Sequence, residues 1–254
     1  MIEIRSFSFA YRKNRTILSD CSTTIGAGEI VNILGPNGSG KSTLLKAMLG
    51  LLPIEKNAIF IHGRDITRMR QRELAKILNY VPQTHQGVFN YRVLDMVLMA
   101  RISRAPWLGF TDTDHAMAHD ALRRVRLSTL AERPYLELSG GQRQLVMIAR
   151  ALAQGGQYFI MDEPVAGLDY GNQYHLLETI RSLASSSSGD HAASFILTTH
   201  HPEHARFLGG RAILMKDGRI LADGPTEETV TPPAIRSLYG LSASLWHKLS
   251  FFNG

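Results

Sequence analysis

Gly35-Pro36-Asn37-Gly38-Ser39-Gly40-Lys41-Ser42 fits the spacing G-x-x-x-x-G-K-[ST] in full. Residues 29–34 before it read as a strand, and residues 42–49 after it as a helix of good helix formers, closed by Gly50 with Pro53 beyond. That context gives the pattern a mechanism. Glycines let the backbone curl until successive N–H groups point inward, and the helix start adds partial positive charge, so Gly35 to Thr43 is expected to cradle phosphates. Lys41 is expected to reach the β- and γ-phosphates of ATP, and the Ser42 hydroxyl to ligate Mg2+. A chance glycine turn is the bland alternative, and the flanking strand and helix argue against it.

Such a loop needs acids on a neighbouring strand. Tyr158-Phe159-Ile160-Met161-Asp162-Glu163 supplies an apolar strand ending in two carboxylates. Asp162 is expected in the magnesium shell, and Glu163 is expected to accept a proton from the attacking water, a role worth about 10² to 10⁴ in rate.

Further strands are read at residues 2–9, 17–25, 58–62, 157–161, 194–199 and 212–216, with a turn at Gly63-Arg64 and a helix at 71–78. Residues 85–154 are mainly helical, with apolar residues at helix spacing in 93–99, 116–125 and 142–152. Strands alternating with helices on either side of that stretch predict an α/β core of residues 1–225 carrying an inserted helical subdomain. Residues 226–254 read as a short extension interrupted by Pro232-Pro233, with a helix at 238–249, and 185–189 as a flexible loop. No internal repeat is visible, and there is one glycine-rich loop.

Composition narrows the classes. Hydrophobic residues at 44% and charged residues at 20% suit a soluble globular chain, and no stretch approaches the roughly 18 apolar residues of a membrane span. The start, Met1-Ile2-Glu3-Ile4-Arg5, lacks the apolar run of a signal peptide. Cys21 stands alone, in keeping with a reducing compartment. The net charge of +6 comes from scattered bases, the longest clusters lying at 68–72 and 123–126, which reads as a solvated surface and not as a nucleic-acid face.

Leu138-Ser139-Gly140-Gly141-Gln142, followed by Arg143-Gln144-Leu145, sits shortly before the acidic strand. Ser139 is expected to cap a helix whose first turn, at Gly140 and Gly141, is bare enough to approach a phosphate. This run resembles the signature of the ATP-binding-cassette (ABC) family, and the resemblance extends in order over nearly the whole chain. It implies an α/β P-loop NTPase (RecA-like) core with an antiparallel β subdomain and a helical subdomain. By residue, it implies that Tyr11 stacks on adenine, that Gln83 links magnesium and water to a transmembrane partner, and that Asp169 is the acid of the loop after the acidic strand. His200, after Thr198-Thr199, resembles the histidine that contacts the γ-phosphate. The family completes each nucleotide site with Ser139 to Gln142 of another copy, so one cassette implies a dimer.

Bland readings stand beside these. A lone tyrosine or glutamine is usually structural, and Tyr11 and Gln83 count because their offsets match. His200-His201-Pro202-Glu203-His204, and His115 with His119, could suggest metal sites, but neither set brings a full ligand complement. A phosphate-contacting histidine at a helix start, and a solvated helix face, are preferred. The chain departs from the pattern at Val165-Ala166-Gly167, at His201 where an acid is usual, and at Ala58 where glycine is common.

The compact cassette resembles transporter subunits more than repair or translation ATPases, which carry coiled coils or tandem cassettes. Residues 84–105 are the expected contact with a separate membrane permease. The runs 88–101, 141–145 and 169–173 resemble the ATPases of importers for iron siderophores, haem, cobalamin or molybdate. The resemblance therefore implies a peripheral protein at the cytoplasmic face of the membrane, working with a permease and a periplasmic or extracellular substrate-binding protein. An exporter, an importer of other cargo, or a soluble non-transport ATPase is the alternative.

Overall fold

The structure, a computed structural model, describes residues 1–12, 15–83, 90–103, 109–186 and 192–246. Its strands are β1 (Ile2–Arg12), β2 (Arg15–Ile25), β3 (Ile30–Leu34), β4 (Ile59–Ile61), β5 (Arg64–Asp65), β6 (Leu78–Val81), β7 (Tyr158–Met161), β8 (Ser194–Thr199), β9 (Arg211–Lys216) and β10 (Arg219–Pro225). Its α-helices are α1 (Lys41–Met48), α2 (Gln71–Leu74), α3 (Val93–Leu98), α4 (Asp112–Arg124), α5 (Gly140–Gln154), α6 (Tyr170–Ser185), α7 (Pro202–Leu208), α8 (Thr226–Thr229), α9 (Pro232–Tyr239) and α10 (Ala243–Trp246). The chain divides into two compact units, Met1–Arg68 with Ile196–Gly254, and Met69–Phe195.

In the first unit an antiparallel sheet runs β2-β1-β4-β5. Ile2, Ile4 and Phe7 of β1 turn inward, so the strand has one wet face and one packed one. β3 instead pairs in parallel with β9, Leu34 opposite Leu214, and residues 31–34 are all buried, as a strand covered on both faces requires. β9 returns as β10 through Asp217 (φ 48°) and Gly218 (φ 76°), the two left-handed residues of a tight hairpin turn between Lys216 and Arg219. Leu34, Ala205, Ala212, Leu214, Val230, Ile235 and Leu238 form one apolar cluster, so the segment after β10 is part of this core.

In the second unit β6 runs parallel to β7, and α5 packs on α3 and α4. Val146, Met147, Ile148, Ala149 and Leu152 of α5 are buried, each large side chain contributing about 1.5–3 kcal/mol. Arg101 closes this packing. Its guanidinium lies 2.8 Å from Asp114 and donates to the Ala153 carbonyl at 2.9 Å, while Asp114 also accepts from the Thr111 N–H and hydroxyl. Those bonds, the Thr111 N–H foremost, hold the Asp114 carboxyl down at about 2.

Three expectations need correction. The helix read at 71–78 ends at Leu74, and Leu78–Val81 is a strand, because Leu78, Asn79 and Val81 are buried beside β7 and the Asn79 amide donates to the Tyr158 carbonyl. Pro232-Pro233 starts a helix instead of breaking one, since proline at a first helical position loses no hydrogen bond. The helix read at 238–249 is divided: α9 stops at Gly240 (φ 64°), α10 is short, and 247–254 lie outside the described residues. At the departure noted for Ala58, the residue before it takes the turn conformation. Asn57 takes the left-handed conformation (φ 65°), its N–H held by Asp65 at 2.9 Å.

Candidate nucleotide site

The first unit holds the phosphate loop, His200 and Tyr11. Packing from below demands its end glycines. A Cβ on Gly35 would stand 2.1 Å from the Met215 carbonyl oxygen, and one on Gly40 (φ 101°) 2.6 Å from Leu18. Gly38, by contrast, is exposed, with open space around it. The loop is tied at both ends: the Gly35 N–H donates to the Thr199 carbonyl at 3.3 Å, and the Gly218 N–H to the Ser39 carbonyl at 3.2 Å. The Lys41 ammonium crosses the loop, donating to the Gly35 and Pro36 carbonyls at 2.7 and 3.1 Å. Ser39 is buried, and its hydroxyl finds no hydrogen-bond partner among the described residues. A rigid cradle, a half-buried Ser42 at the helix start and an orphaned hydroxyl fit a phosphate chain.

His200 directly follows β8. The Thr199 hydroxyl accepts from the His201 N–H at 3.0 Å, and the Tyr239 hydroxyl donates to the His200 carbonyl at 2.6 Å. His201 lies between His200 and His204 with its ring tilted to both, ring centroids 4.1 and 4.7 Å apart, and meets Glu203 at 3.0 Å. Burial first, and neighbouring His201 next, push the His204 ring down to about 4. Tyr11 is 55% exposed near the end of β1, its ring perpendicular to that of Phe9 at 5.0 Å. Among the described residues no group of three or more His, Cys, Asp or Glu side chains could hold a metal ion.

The second unit holds the acids. Asp162 is buried at the end of β7, its N–H bonded to the Val81 carbonyl. Glu163 takes φ 43°, a left-handed conformation that costs energy in a residue with a long side chain. The Ala166 N–H closes the turn onto the Glu163 carbonyl at 3.0 Å, and the Gln83 amide donates to the Glu163 carboxylate at 3.1 Å.

Ser139 caps α5 as its position in the sequence implies: its hydroxyl accepts from the Gln142 N–H at 3.3 Å, and the Gln142 side chain accepts from the Ser139 N–H at 3.0 Å. Asp169 caps α6, both oxygens engaged with Asn172, whose N–H is the main reason its carboxyl lies below the ordinary range. Of the expected docking stretch, 84–89 and 104–105 lie outside the described residues. Within it Val93, Met96, Val97 and Leu98 are buried, while Tyr91 and Ile102 are exposed.

The family profile described as ABC transporter matches residues 18–166, more than half of the chain and spanning the phosphate loop, signature and acids together. This chain belongs to the ABC transporter family. A manganese transport system ATP-binding protein of Listeria innocua is 34% identical over 245 residues, covering 94% of this cassette and 96% of that protein. An iron(3+)-hydroxamate import ATP-binding protein of Bacillus subtilis is 31% identical over 233 residues, covering 91% and 85%. The solved inward-facing structure of a metal-chelate type ABC transporter superposes with a TM-score of 0.81 at 29% identity, over 94% of this cassette and 88% of that chain. The cassette is an α/β P-loop ATPase of the transporter kind, and no helix among its described residues is long and apolar enough to cross a membrane.

Two supports of the cassette's site escaped the sequence reading. Gly218 lies under the phosphate loop, and its signal was the Asp217-Gly218 turn after an apolar strand. Tyr239 carries no such signal.

Proposed function

We propose that the cassette energises import of a metal chelate through a separate membrane permease, using ATP sites made by the phosphate loop of one copy and the signature of a second. The observation that carries the shared site is a difference between glycines. Gly35 and Gly40, the end glycines of the phosphate loop, are needed by their own chain's packing, whereas a Cβ on Gly140 or Gly141 would meet only ordinary contacts at 3.6 Å. Glycine in a first helical turn lowers helix propensity by about 1 kcal/mol against alanine, and nothing among the described residues requires it there. A ligand approaching from outside does.

In this reading Gly35 to Thr43 wraps the phosphates, Lys41 turns from its carbonyls toward the β- and γ-oxygens, and Tyr11 stacks on adenine. Ser139 to Gln142 of the second copy covers the triphosphate, with Asp169 shaping the adjoining loop. Glu163 takes the proton of the water that attacks the γ-phosphorus, Gln83 orients Glu163 and that water, and His200 contacts the γ-phosphate; the bond to the bridging oxygen breaks and ADP leaves. The oxygen donors Ser42, Asp162 and Gln83 suit Mg2+, which takes few protein ligands and completes its shell with phosphate and water. That ion would neutralise charge on the β- and γ-phosphates. Nucleotide binding closes the dimer and hydrolysis reopens it, a motion the helical insertion at 85–154 passes to the permease. In this reading residues 1–225 are the cassette and 226–254 an extension whose Val230, Ile235 and Leu238 complete its apolar core.

Iron-hydroxamate and metal-chelate relatives support a chelate as cargo, delivered by a substrate-binding protein, with the cassette at the cytoplasmic face. Manganese is the second reading, on the Listeria innocua relative. Mixing Ser139→Arg chains with Lys41→Ala chains tests the shared site: the heterodimer keeps one intact site and regains part of the activity that neither homodimer has. Absence of any regain sinks it. ATPase stimulation of the purified complex by ferric hydroxamate, and not by manganese, is the result expected for cargo.

A further inference from the structure

We propose that Tyr239 is a positioning residue for hydrolysis: its hydroxyl, bonded to the carbonyl of His200, sets the backbone from which the His200 ring reaches the γ-phosphate. The proposal rests on the reading of His200 given above.

Three bonds fix the chain where β8 ends. The phosphate loop supplies one, from the Gly35 N–H to the Thr199 carbonyl, and the Thr199 hydroxyl supplies another to the His201 N–H. The third comes from 39 residues further on, beyond the last strand, as the 2.6 Å bond from Tyr239 to His200. That bond is made to His200 itself.

The phenol has a firm base. Tyr239 is the last residue of α9, and Gly240 ends the helix in a left-handed cap. Ile235 and Leu238 on the same helix are buried against Leu34, the residue directly before Gly35, and the Tyr239 ring packs on that cluster. The Lys216 ammonium holds the Ser237 carbonyl at 2.8 Å, and the Arg206 guanidinium holds the Val230 carbonyl at 3.0 Å. One apolar cluster thus supports both the phosphate loop, through Leu34, and the His200 carbonyl, through Tyr239. A displacement of α9 would be felt at His200 without passing through the nucleotide, so the extension becomes a lever on turnover.

The tyrosine could merely satisfy a half-buried carbonyl, and the two roles differ in what they change. Tyr239→Phe keeps the ring and its packing and removes only the hydroxyl. In the full-length chain, steady-state ATPase with magnesium ATP should show kcat falling about three- to tenfold, the range a single neutral hydrogen bond spans. KM for ATP should stay within about twofold, because binding of the ground state does not depend on where the histidine points. His200→Ala should be much slower, and adding Tyr239→Phe to it should cost nothing further in single turnovers followed to completion, since the tyrosine acts through the histidine. A normal kcat in Tyr239→Phe beside a slow His200→Ala overturns this inference alone. Equal losses from Tyr239→Phe with and without His200 also overturn it, reducing the tyrosine to a structural prop. A His200→Ala chain that hydrolyses ATP at the parent rate removes the reading of His200 itself, and the role of Tyr239 with it.

Discussion

The phosphate loop and the signature are both glycine-bearing helix starts, yet they are held in opposite ways. Gly35 to Thr43 is largely buried and pinned from beneath by the Met215 carbonyl, Leu18 and the hairpin turn at Gly218, and bridged inside by Lys41. Ser139 and Gly140 are exposed, secured by a capping box that is complete within four residues. The first loop's shape belongs to its own fold. The second is preformed by local chemistry, with Ser139 and Gly140 left exposed.

The largest expected effect tests that contrast directly. Gly35→Ala must displace a backbone carbonyl, so it should destabilise the first unit by about 3 kcal/mol, the upper end of overpacking, and abolish nucleotide binding in a titration. Gly140→Ala should do the reverse, leaving thermal stability equal or up to about 1 kcal/mol higher and ATP binding to the single chain intact, while turnover of the dimer drops more than about tenfold. If both glycines behaved alike, the distinction would be void.

A smaller change in stability but a full loss of activity is expected at Glu163. Glycine relieves its left-handed backbone, so Glu163→Gly should be more stable by up to about 1 kcal/mol in denaturant melts and fail to hydrolyse ATP. Glu163→Gln should bind ATP and remain as a closed dimer by size-exclusion chromatography; unchanged turnover would remove the carboxylate from the chemistry.

The subtlest difference lies in acid. His204 in the first unit is neutral when folded, with its pKa lowered from 6.5 to about 4, so the unfolded chain takes up a proton first and stability falls as pH drops from about 6.5 to about 4. Asp114 in the second unit is held charged, lowered from 3.8 to about 2, so its contribution is present above about 3.8 and disappears between there and about 2. Acidification should therefore loosen the phosphate-loop unit first, seen as earlier amide exchange around 200–215. His204→Phe should delay that step and leave the acid limb near Asp114 unmoved.

Much of the site was legible because its information is local. Strand, eight-residue loop and helix start follow one another directly in the phosphate motif; the capping box at Ser139 is contained in four residues; and the acids terminate an unbroken apolar strand. Where the reading erred, partners distant in sequence decided. Leu78–Val81 has too short a pattern to tell strand from helix, and its pairing with Tyr158–Met161 settles the matter. β10 has no fully buried residue and turns Leu221 outward, so no clean alternation marks it, and it owes its existence to pairing with β9. The helix opened by Pro232 depends on apolar contacts with Leu34 and Leu214.

The phosphate loop, the paired acids and the signature are written in residue order, since each is a spacing of residue types whose chemistry works over a few bonds. Contacts in the folded chain are what leave no room for a Cβ at Gly35 and room for one at Gly140, and what bring a tyrosine 39 residues along to the carbonyl of His200. Steric exclusion and a hydrogen bond between remote segments act at contact distance, and no linear pattern encodes that distance.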